Sequence, residues 1–459
     1  MSQSSRSLRV GRVVLYRRSQ VWYLRYHESG KRRQQRGAKD LPTARRLAAE
    51  INSQLESGTP TALGYEAISP TKLRKTWLEH HDMVRRSSTA TISRYRTATD
   101  HLLRFVHDQP IKQLSQFRIV HAEAFVRHLR QLKVAPNGHK NTEKRPLRDK
   151  GVKFVLECCR AMFNFAMKRR HLPPYSENPF STLEVQRIPL EDAKPIQLFK
   201  LEEERQFFER CDEWQLPIFA TLALTGMRVG ELVHLVVEDV DLAGGWLLIQ
   251  NKPELGWRIK TRNERQIPLL PELGELLRRC IGDRTTGPVF LRRRFLQSAP
   301  PQLASRTPDE VAAILRQRIE SSSVTDPSQR RTQEARLAKL LWIEMGALKP
   351  DRLRKEFMSL TRSIGRTDAT APKLFRHAFA TLLQDARVDV LIRNQVMGHA
   401  PADGAGRLSG GLGMTGWYTH TKEETYREQI CAACEHSSAL AVMRDTLQRS
   451  CAQAATALA

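Results

Sequence analysis

The sequence predicts a multidomain chain that is mainly α-helical, with a small β-rich module at the N-terminus, a helical domain in the middle and a larger α+β domain behind them. Three observations predict it. At 459 residues the chain is longer than one ordinary domain. Its hydrophobic pattern changes period, from runs of β-branched and aromatic residues near the start to helical spacing from residue 69 onward. Two stretches, Ser57-Gly58-Thr59-Pro60-Thr61 and 176–197 with its Ser-Glu-Asn-Pro-Phe and two later prolines, break the pattern where boundaries between domains belong.

Residues 1–58 form the first unit. Val13-Val14-Leu15-Tyr16 and Val21-Trp22-Tyr23-Leu24-Arg25-Tyr26 have strand composition, and Pro42 leads into a helix over Thr43 to Leu55. Residues 1–50 hold 13 Lys and Arg against 3 Asp and Glu, which suits a short sheet that enters a DNA groove; a solvated basic domain is the plainer reading. Ser57-Gly58-Thr59-Pro60-Thr61 reads as a linker. Residues 69–185 read as all helical, with periodic positions Leu73/Trp77/Leu78, Tyr95/His101/Leu102/Leu103/Phe105/Val106, Val120/Phe125/Val126/Leu129/Leu132 and, on a fourth helix over Lys150 to Arg169, Phe154/Val155/Cys158/Cys159/Met162/Phe163/Phe165/Ala166. Val134 to Leu147 is a loop by its Pro, Gly and Asn content. Residues 198–440 form the mixed domain, with strands around Trp246 to Ile249 and Trp257 to Leu269. A surface insertion at 297–350 carries amphipathic helices at 308–320 and 331–347, and 441–459 is a C-terminal tail.

Composition narrows the function. A net charge of +26 repels itself unless it meets a polyanion, and the usual one is nucleic acid; an anionic membrane or an acidic protein is the other reading. An apolar fraction of 40% is enough for buried cores, and no run of about 18 apolar residues is present to span a bilayer. Met1 to Arg12 has no apolar run behind its charges, which argues against a secretory signal. The 7 cysteines lack the spacing of a disulfide framework, so reduced cytosolic thiols are expected. Cys431 and Cys434, with His436 nearby, lack the second pair that a zinc site needs, so they read as helix residues.

Several short motifs carry chemistry. Leu224-Thr225-Gly226-Met227-Arg228-Val229-Gly230-Glu231-Leu232 sets an arginine between glycines at a helix end. In Lys373-Leu374-Phe375-Arg376-His377-Ala378-Phe379-Ala380-Thr381, Lys373 and Arg376 stand three apart and share a helix face. Met397-Gly398-His399 and Trp417-Tyr418-Thr419-His420 follow. With the strand-turn segment from Ile259 to Leu269, these motifs resemble, in order, the boxes of the tyrosine recombinase (phage integrase) family: first arginine, β-hairpin lysine, second arginine, histidine and nucleophile tyrosine. The likeness is best over 198–430. The helical 69–185 region, closed by Asn178-Pro179-Phe180, is similar by pattern to the family's core-type, SAM-like DNA-binding domain, and 1–58 to its arm-type DNA-binding domains.

The resemblance implies roles that physical chemistry can check. Arg228 and Arg376 would present planar guanidinium forks to the scissile phosphate. Tyr418 would attack it and form a 3′-phosphotyrosine; a free phenol has a pKa of about 10, so its proton must leave as it attacks. Lys260 would protonate the departing 5′-oxygen, although Lys252 lies in the same hairpin. His399 would donate to a phosphate oxygen, and Glu231 and His377 would support the basic groups. Lys373 stands where the family most often has histidine; it is read as a general base or only as a phosphate cation. Tyr426 is a second, less well matched tyrosine, and Arg262 and Arg265 read as phosphate or solvent contacts. No metal and no cofactor is implied.

His399 and Tyr418 are 19 positions apart (418 − 399), more than is usual for the family, and the glycine-rich run 404–413 predicts a mobile nucleophile segment that gates cleavage until protomers assemble. Residues 421–447 read as helix, with Ala439-Leu440-Ala441-Val442-Met443 as an apolar face that docks on a neighbouring protomer or packs on its own domain. The resemblance implies double-stranded DNA with specific attachment sites as partner, domains that clamp the duplex, a homo-oligomer on DNA (a tetramer in the synaptic complex), a DNA-bending accessory protein, a bacterial cytoplasmic, nucleoid-associated setting and no membrane. The expected activity is site-specific recombination that integrates or excises a mobile element. Two other readings stand: a non-catalytic DNA-binding regulator on the same scaffold, and a type IB topoisomerase-like enzyme.

Overall fold

The computed structural model describes residues 7–28, 30–58, 61, 65–135, 138, 141–173, 176–192, 195–324, 326–399 and 421–458. The chain divides into two compact units, Met1–Lys194 and Pro195–Ala459.

The first unit opens with an antiparallel sheet in sequential order, β1 (Leu8–Val10), β2 (Val13–Arg18), β3 (Val21–Glu28) and β4 (Lys31–Arg36). Strand alternation sends Val13, Leu15, Trp22, Leu24 and Tyr26 inward, onto Ala44, Ala48 and Ile51 of α1 (Leu41–Glu56), whose first turn is capped by Asp40. The register puts Arg9, Val14, Arg25 and Gln34 in one row of the opposite face, Tyr16, Tyr23 and Arg36 in a second, and Arg18, His27 and Arg32 beside them. That face holds five arginines and no carboxylate. β1 and β4 were not foreseen, because Lys31-Arg32-Arg33-Gln34-Gln35-Arg36 has no apolar residue for alternation to reveal. The expected linker is partly structural: Thr61 is buried, its hydroxyl pairs with that of Tyr26 (3.1 Å), its amide donates to Glu28 (2.8 Å), and its carbonyl accepts from Arg170 (3.2 Å).

A helical bundle follows, made of α2 (Pro70–Glu79), α3 (Thr89–His107), α4 (Ile119–Gln131) and α5 (Asp149–Lys168). Ser69 and Ser88 cap α2 and α3. The expected loop contains a two-residue ladder between β5 (Lys133–Val134) and β6 (Arg145–Pro146). Most of the predicted apolar positions are core, but Tyr95, Leu103, Val126, Leu132, Phe154 and Phe165 are only partly buried and Val120 is exposed. The bundle is closed by α6 (Pro179–Thr182): Asn178 caps it and donates to the Arg160 carbonyl (2.9 Å) and to Asn164 (2.8 Å), while Phe180 sits fully buried among Phe117, Phe125 and Phe163.

The second unit contains α7 (Leu201–Glu209), α8 (Gln215–Thr225), α9 (Val229–Leu232), a three-stranded antiparallel sheet β7 (Val240–Asp241), β8 (Trp246–Ile249) and β9 (Arg265–Pro268), then α10 (Pro271–Ile281), α11 (Pro308–Glu320), α12 (Pro327–Glu344), α13 (Pro350–Ser363), α14 (Lys373–Asp385), α15 (Val390–Met397), α16 (Glu423–Cys434) and α17 (Ser438–Leu458). α8 is apolar all round and buried at every position, so it is the central helix of the core. Two expectations are corrected here. The 297–350 segment is not a surface addition: Val311, Ala312, Leu315, Ala338, Leu341, Trp342 and Met345 form a core cluster with Val236 and Leu255 of the main domain. The apolar run at 439–443 does not wait for a neighbour either, since Ala439, Leu440, Val442 and Met443 are buried in this chain's own core, and α17 runs through the expected 440/441 boundary. None of the described helices is long and apolar enough to cross a membrane.

Phe180→Ala is expected to destabilise the bundle by about 3–5 kcal/mol, because the ring leaves a cavity between two helices, while Phe180→Leu costs less than about 1.5 kcal/mol. Urea unfolding of the full chain, followed by far-UV circular dichroism, measures both.

Candidate active site

Two helix ends build the site. α8 stops at Gly226 and α15 at Gly398, both left-handed (φ 58° and 61°). A Cβ on Gly226 would lie 2.3 Å from the Phe379 ring, and one on Gly398 would lie 2.8 Å from the Arg265 guanidinium, so both places require glycine. A helix end leaves carbonyls without partners, and cations are favoured there. Arginines fill that role. Arg376 on α14 donates to the Gly226 carbonyl (2.6 Å) and to the Met397 carbonyl, and Arg265 on β9 donates through Nε to the Val396 carbonyl (2.7 Å).

Glu231 is the hub. Its carboxylate is 3% exposed and accepts from the Arg228 amide (2.9 Å), Arg228 Nη1 (2.7 Å) and Arg265 Nη2 (2.8 Å). Burial alone would raise its pKa, but the hydrogen bond and charge of Arg265, followed by the backbone and side-chain hydrogen bonds of Arg228, overcome this and hold it below the ordinary glutamate range. Arg376 is also buried, and burial together with the positive field of Arg228 pushes its pKa down to about 10. Among the predicted residues, the structure therefore brings Arg228, Glu231 and Arg376 together. His399 joins them: its amide closes on the Asn394 carbonyl (3.0 Å), and its pKa is lowered by burial and then by the charges of Arg376, Arg228 and Arg265.

Lys260 is exposed in the turn before β9, and the neighbouring Thr261 hydroxyl reaches the Gly398 carbonyl (3.3 Å), which fixes the turn beside the His399 segment. Lys252 is committed elsewhere. It is buried against Asp239 (2.8 Å) and lies over the Trp257 ring. Lys373 is exposed at the first position of α14. His377, one turn on, has its Nε2 enclosed with no hydrogen-bond partner among the described residues, and its pKa is lowered by burial and by the charges of Lys373 and Arg376. Tyr418, its neighbours Trp417, Thr419 and His420, and the 404–413 run lie outside the described residues. Tyr426 is a core residue: it is buried, and its hydroxyl donates to the Gln266 carbonyl (2.8 Å).

Arg265 is the residue that sequence reading misplaced. It is not a solvent or phosphate contact but the buried partner of Glu231. Strand alternation held the signal, because Arg265 shares a face with Ile267 and Leu269, and an arginine on a buried face needs a carboxylate. Arg262, by contrast, is exposed. Cys434 is buried with its thiol on the Leu224 carbonyl (3.7 Å), and no cluster of potential metal ligands is found among the described residues.

Glu231→Ala is expected to cost about 3–5 kcal/mol, since Arg265 would keep a buried charge with no counter-ion. The folded pKa of Glu231 lies below the unfolded value of about 4.3. Its contribution is therefore complete above that value and is lost as pH falls through the folded pKa. The stability difference between wild type and Glu231→Gln, from urea unfolding, is expected to be flat above about pH 5 and to shrink below it; a difference that grows on acidification contradicts the assignment.

Residues 198–424 match the model of the phage integrase family. No curated protein matches the chain. Among solved structures, the chain is similar to a lambda integrase dimer bound to a COC′ core site, at 14% identity over 85% of this chain and 92% of that one, with a TM-score of 0.46. It is also similar to the Tn1549 transposon integrase in complex with circular intermediate DNA, at 14% identity over 79% and 99%, with a TM-score of 0.49. Residues 198–424, which gather Arg228, Glu231, Arg376 and His399, form a domain of the phage integrase family, the tyrosine recombinases.

Proposed function

We propose that this protein is a site-specific DNA recombinase that cuts and rejoins strands through a 3′-phosphotyrosine. The observation that carries the reading is the convergence of Arg228, Arg376 and His399 around one buried carboxylate, which is an anion site built to hold charge in a fixed place. Fixed donors stabilise charge that develops in a transition state, because nothing has to reorganise when it appears.

In this reading Arg228 and Arg376 grip the non-bridging oxygens of the scissile phosphate, and neutral His399 donates a further hydrogen bond. Tyr418 attacks phosphorus, its phenolic proton passes to solvent, and an O–P bond forms. The bond to the 5′-oxygen breaks, Lys260 protonates that oxygen, and a 5′-hydroxyl leaves. Lys373 acts as a phosphate cation at the start of α14. The phosphotyrosine keeps the energy of the broken bond, so attack by another 5′-hydroxyl reseals the strand with no cofactor or metal. Family membership supports action as a homo-oligomer, a tetramer when two attachment sites are paired, in integration or excision of a mobile element, with a DNA-bending accessory protein, in a bacterial cytoplasm.

The 69–185 bundle serves as the core-type DNA-binding domain and 1–58 as the arm-type domain. The carboxylate-free face of the N-terminal sheet supports the second role. Tyr16 and Tyr23 stack at 5.7 Å in the midst of Arg9, Arg18, Arg25, Arg32 and Arg36. Each phosphate neutralised contributes about −0.9 to the slope of log K against log salt. Replacing Arg25 and Arg36 by alanine is therefore expected to flatten the salt dependence of duplex binding by up to about 2; an unchanged slope removes this face from the interface.

The chemistry is tested with a pool of nicked duplexes whose sequence is randomised on both sides of the nick, so that the downstream strand diffuses away after cleavage. A denaturant-stable protein–DNA adduct is expected with wild type and not with Tyr418→Phe. Arg228→Ala and Arg376→Ala are each expected to slow adduct formation by about 10²–10³-fold. An adduct that survives Tyr418→Phe sinks the nucleophile assignment. Tight, sequence-selective binding with no adduct favours the regulator. Relaxation of any supercoiled plasmid, without a preferred site, favours the topoisomerase-like enzyme.

A further inference from the structure

The α11–α12 hairpin has no part in the chemistry just described, yet it meets the site's scaffold through three rings. His234, just after α9, lies flat on Trp257 (centroids 4.8 Å apart, planes at 17°), and Trp342 of α12 meets it edge-on (4.7 Å, 79°). Each ring comes from a different segment: His234 from the one that carries Arg228 and Glu231, Trp257 from the β8–β9 connection that carries Lys260, and Trp342 from the hairpin. Hydrogen bonds lock the same three. His234 Nδ1 donates to the carbonyl of Gly230, between Arg228 and Glu231 (2.7 Å); a carbonyl only accepts, so this nitrogen carries the proton. Trp342 Nε1 donates to the Leu255 carbonyl (3.1 Å). Gly256 runs so close to α12 that a Cβ would lie 2.4 Å from that of Ala338. Backbone bonds between Lys252 and Trp257, and a bond from the Ile259 amide to the Asn251 side-chain oxygen, carry the constraint on to Lys260.

We propose that the α11–α12 hairpin is a positioning brace for DNA cleavage, in which Trp342 and His234 hold the Lys260 turn in register with the Arg228–Glu231 cap. The proposal rests on the reading of Lys260 as the acid that protonates the leaving oxygen. Lysine is a point charge on a flexible stem, so its contribution depends on where the turn places its backbone. A displacement of about 1 Å costs on the order of 10²-fold in rate. Burial holds the His234 imidazole neutral, with its pKa lowered to about 4, so the stack stays intact at neutral pH.

The test compares two nicked duplexes of the sequence recovered in adducts. One has the ordinary bridging 5′-oxygen at the scissile phosphate and the other has sulfur there. A thiolate leaves without a proton, since a thiol has a pKa of about 8.5 against about 15.7 for water. Under single turnover, Trp342→Leu is expected to cleave the oxygen substrate about 10²-fold slower than wild type and to approach the wild-type rate on sulfur. Trp342→Phe keeps a ring but loses the bond to Leu255; it should show a smaller loss with the same recovery, and it carries the test if Trp342→Leu does not fold. Equal losses on both substrates, or no loss on oxygen, overturn the brace. Lys260→Ala separates the two ideas: if sulfur does not restore it, the acid reading fails and the brace falls with it. If sulfur restores Lys260→Ala but not the Trp342 variants, only the brace fails.

Discussion

The second unit is organised around one carboxylate held out of water. Removing an ionised glutamate from solvent costs several kcal/mol, and only a full set of donors offsets this. Glu231 has them, and each donor is also a structural tie. Arg228 comes from the cap of α9 and Arg265 from β9. Arg265 reaches on to the end of α15, where Arg376 arrives from α14 and returns to Gly226, two residues before Arg228. The circuit closes on itself. Five elements are thereby fixed relative to one another, and the guanidinium groups are held in fixed orientations.

Net charge is a poor map of where nucleic acid would lie. Several of this chain's cations are structural. Arg366 is shared between Glu203 and Asp368, and Arg284 is folded back onto the carbonyls of Ile281, Cys280 and Val289. Lys252 is buried on Asp239. The sheet face around Tyr16 and Tyr23 differs because its register brings arginines together with no acid among them. It is this local imbalance, more than the total of +26, that points to a polyanion.

How much was legible in the sequence follows the range of the interactions involved. Periodicity found the bundle helices, and local motifs found Arg228, Glu231 and Arg376, because the glycines and caps that fix them lie within a few residues. Long-range pairing was harder to read. β4 has no apolar residue and exists because β3 gives it a partner. Thr61 looked like linker because its partners Tyr26 and Arg170 lie 35 and 109 residues away. Arg265 hid among other hairpin cations, since its carboxylate is 34 residues upstream. The insertion read as surface because its apolar stripe finds its counterpart in Val236 and Leu255, at positions that no local pattern marks.

The shared core of that insertion bears on how such chains can be taken apart and recombined. A loop that merely decorates a domain can be trimmed or exchanged without touching what lies beneath. Here Trp342 covers Leu255 and His234, and Ala338 is moulded to Gly256, so excision would strip apolar cover from the strands that lead to Lys260. Once a graft shares side chains with its host, neither is an independent part. A chimaera that borrows this second unit would have to carry residues 234, 255–257 and 311–345 as a single inheritance.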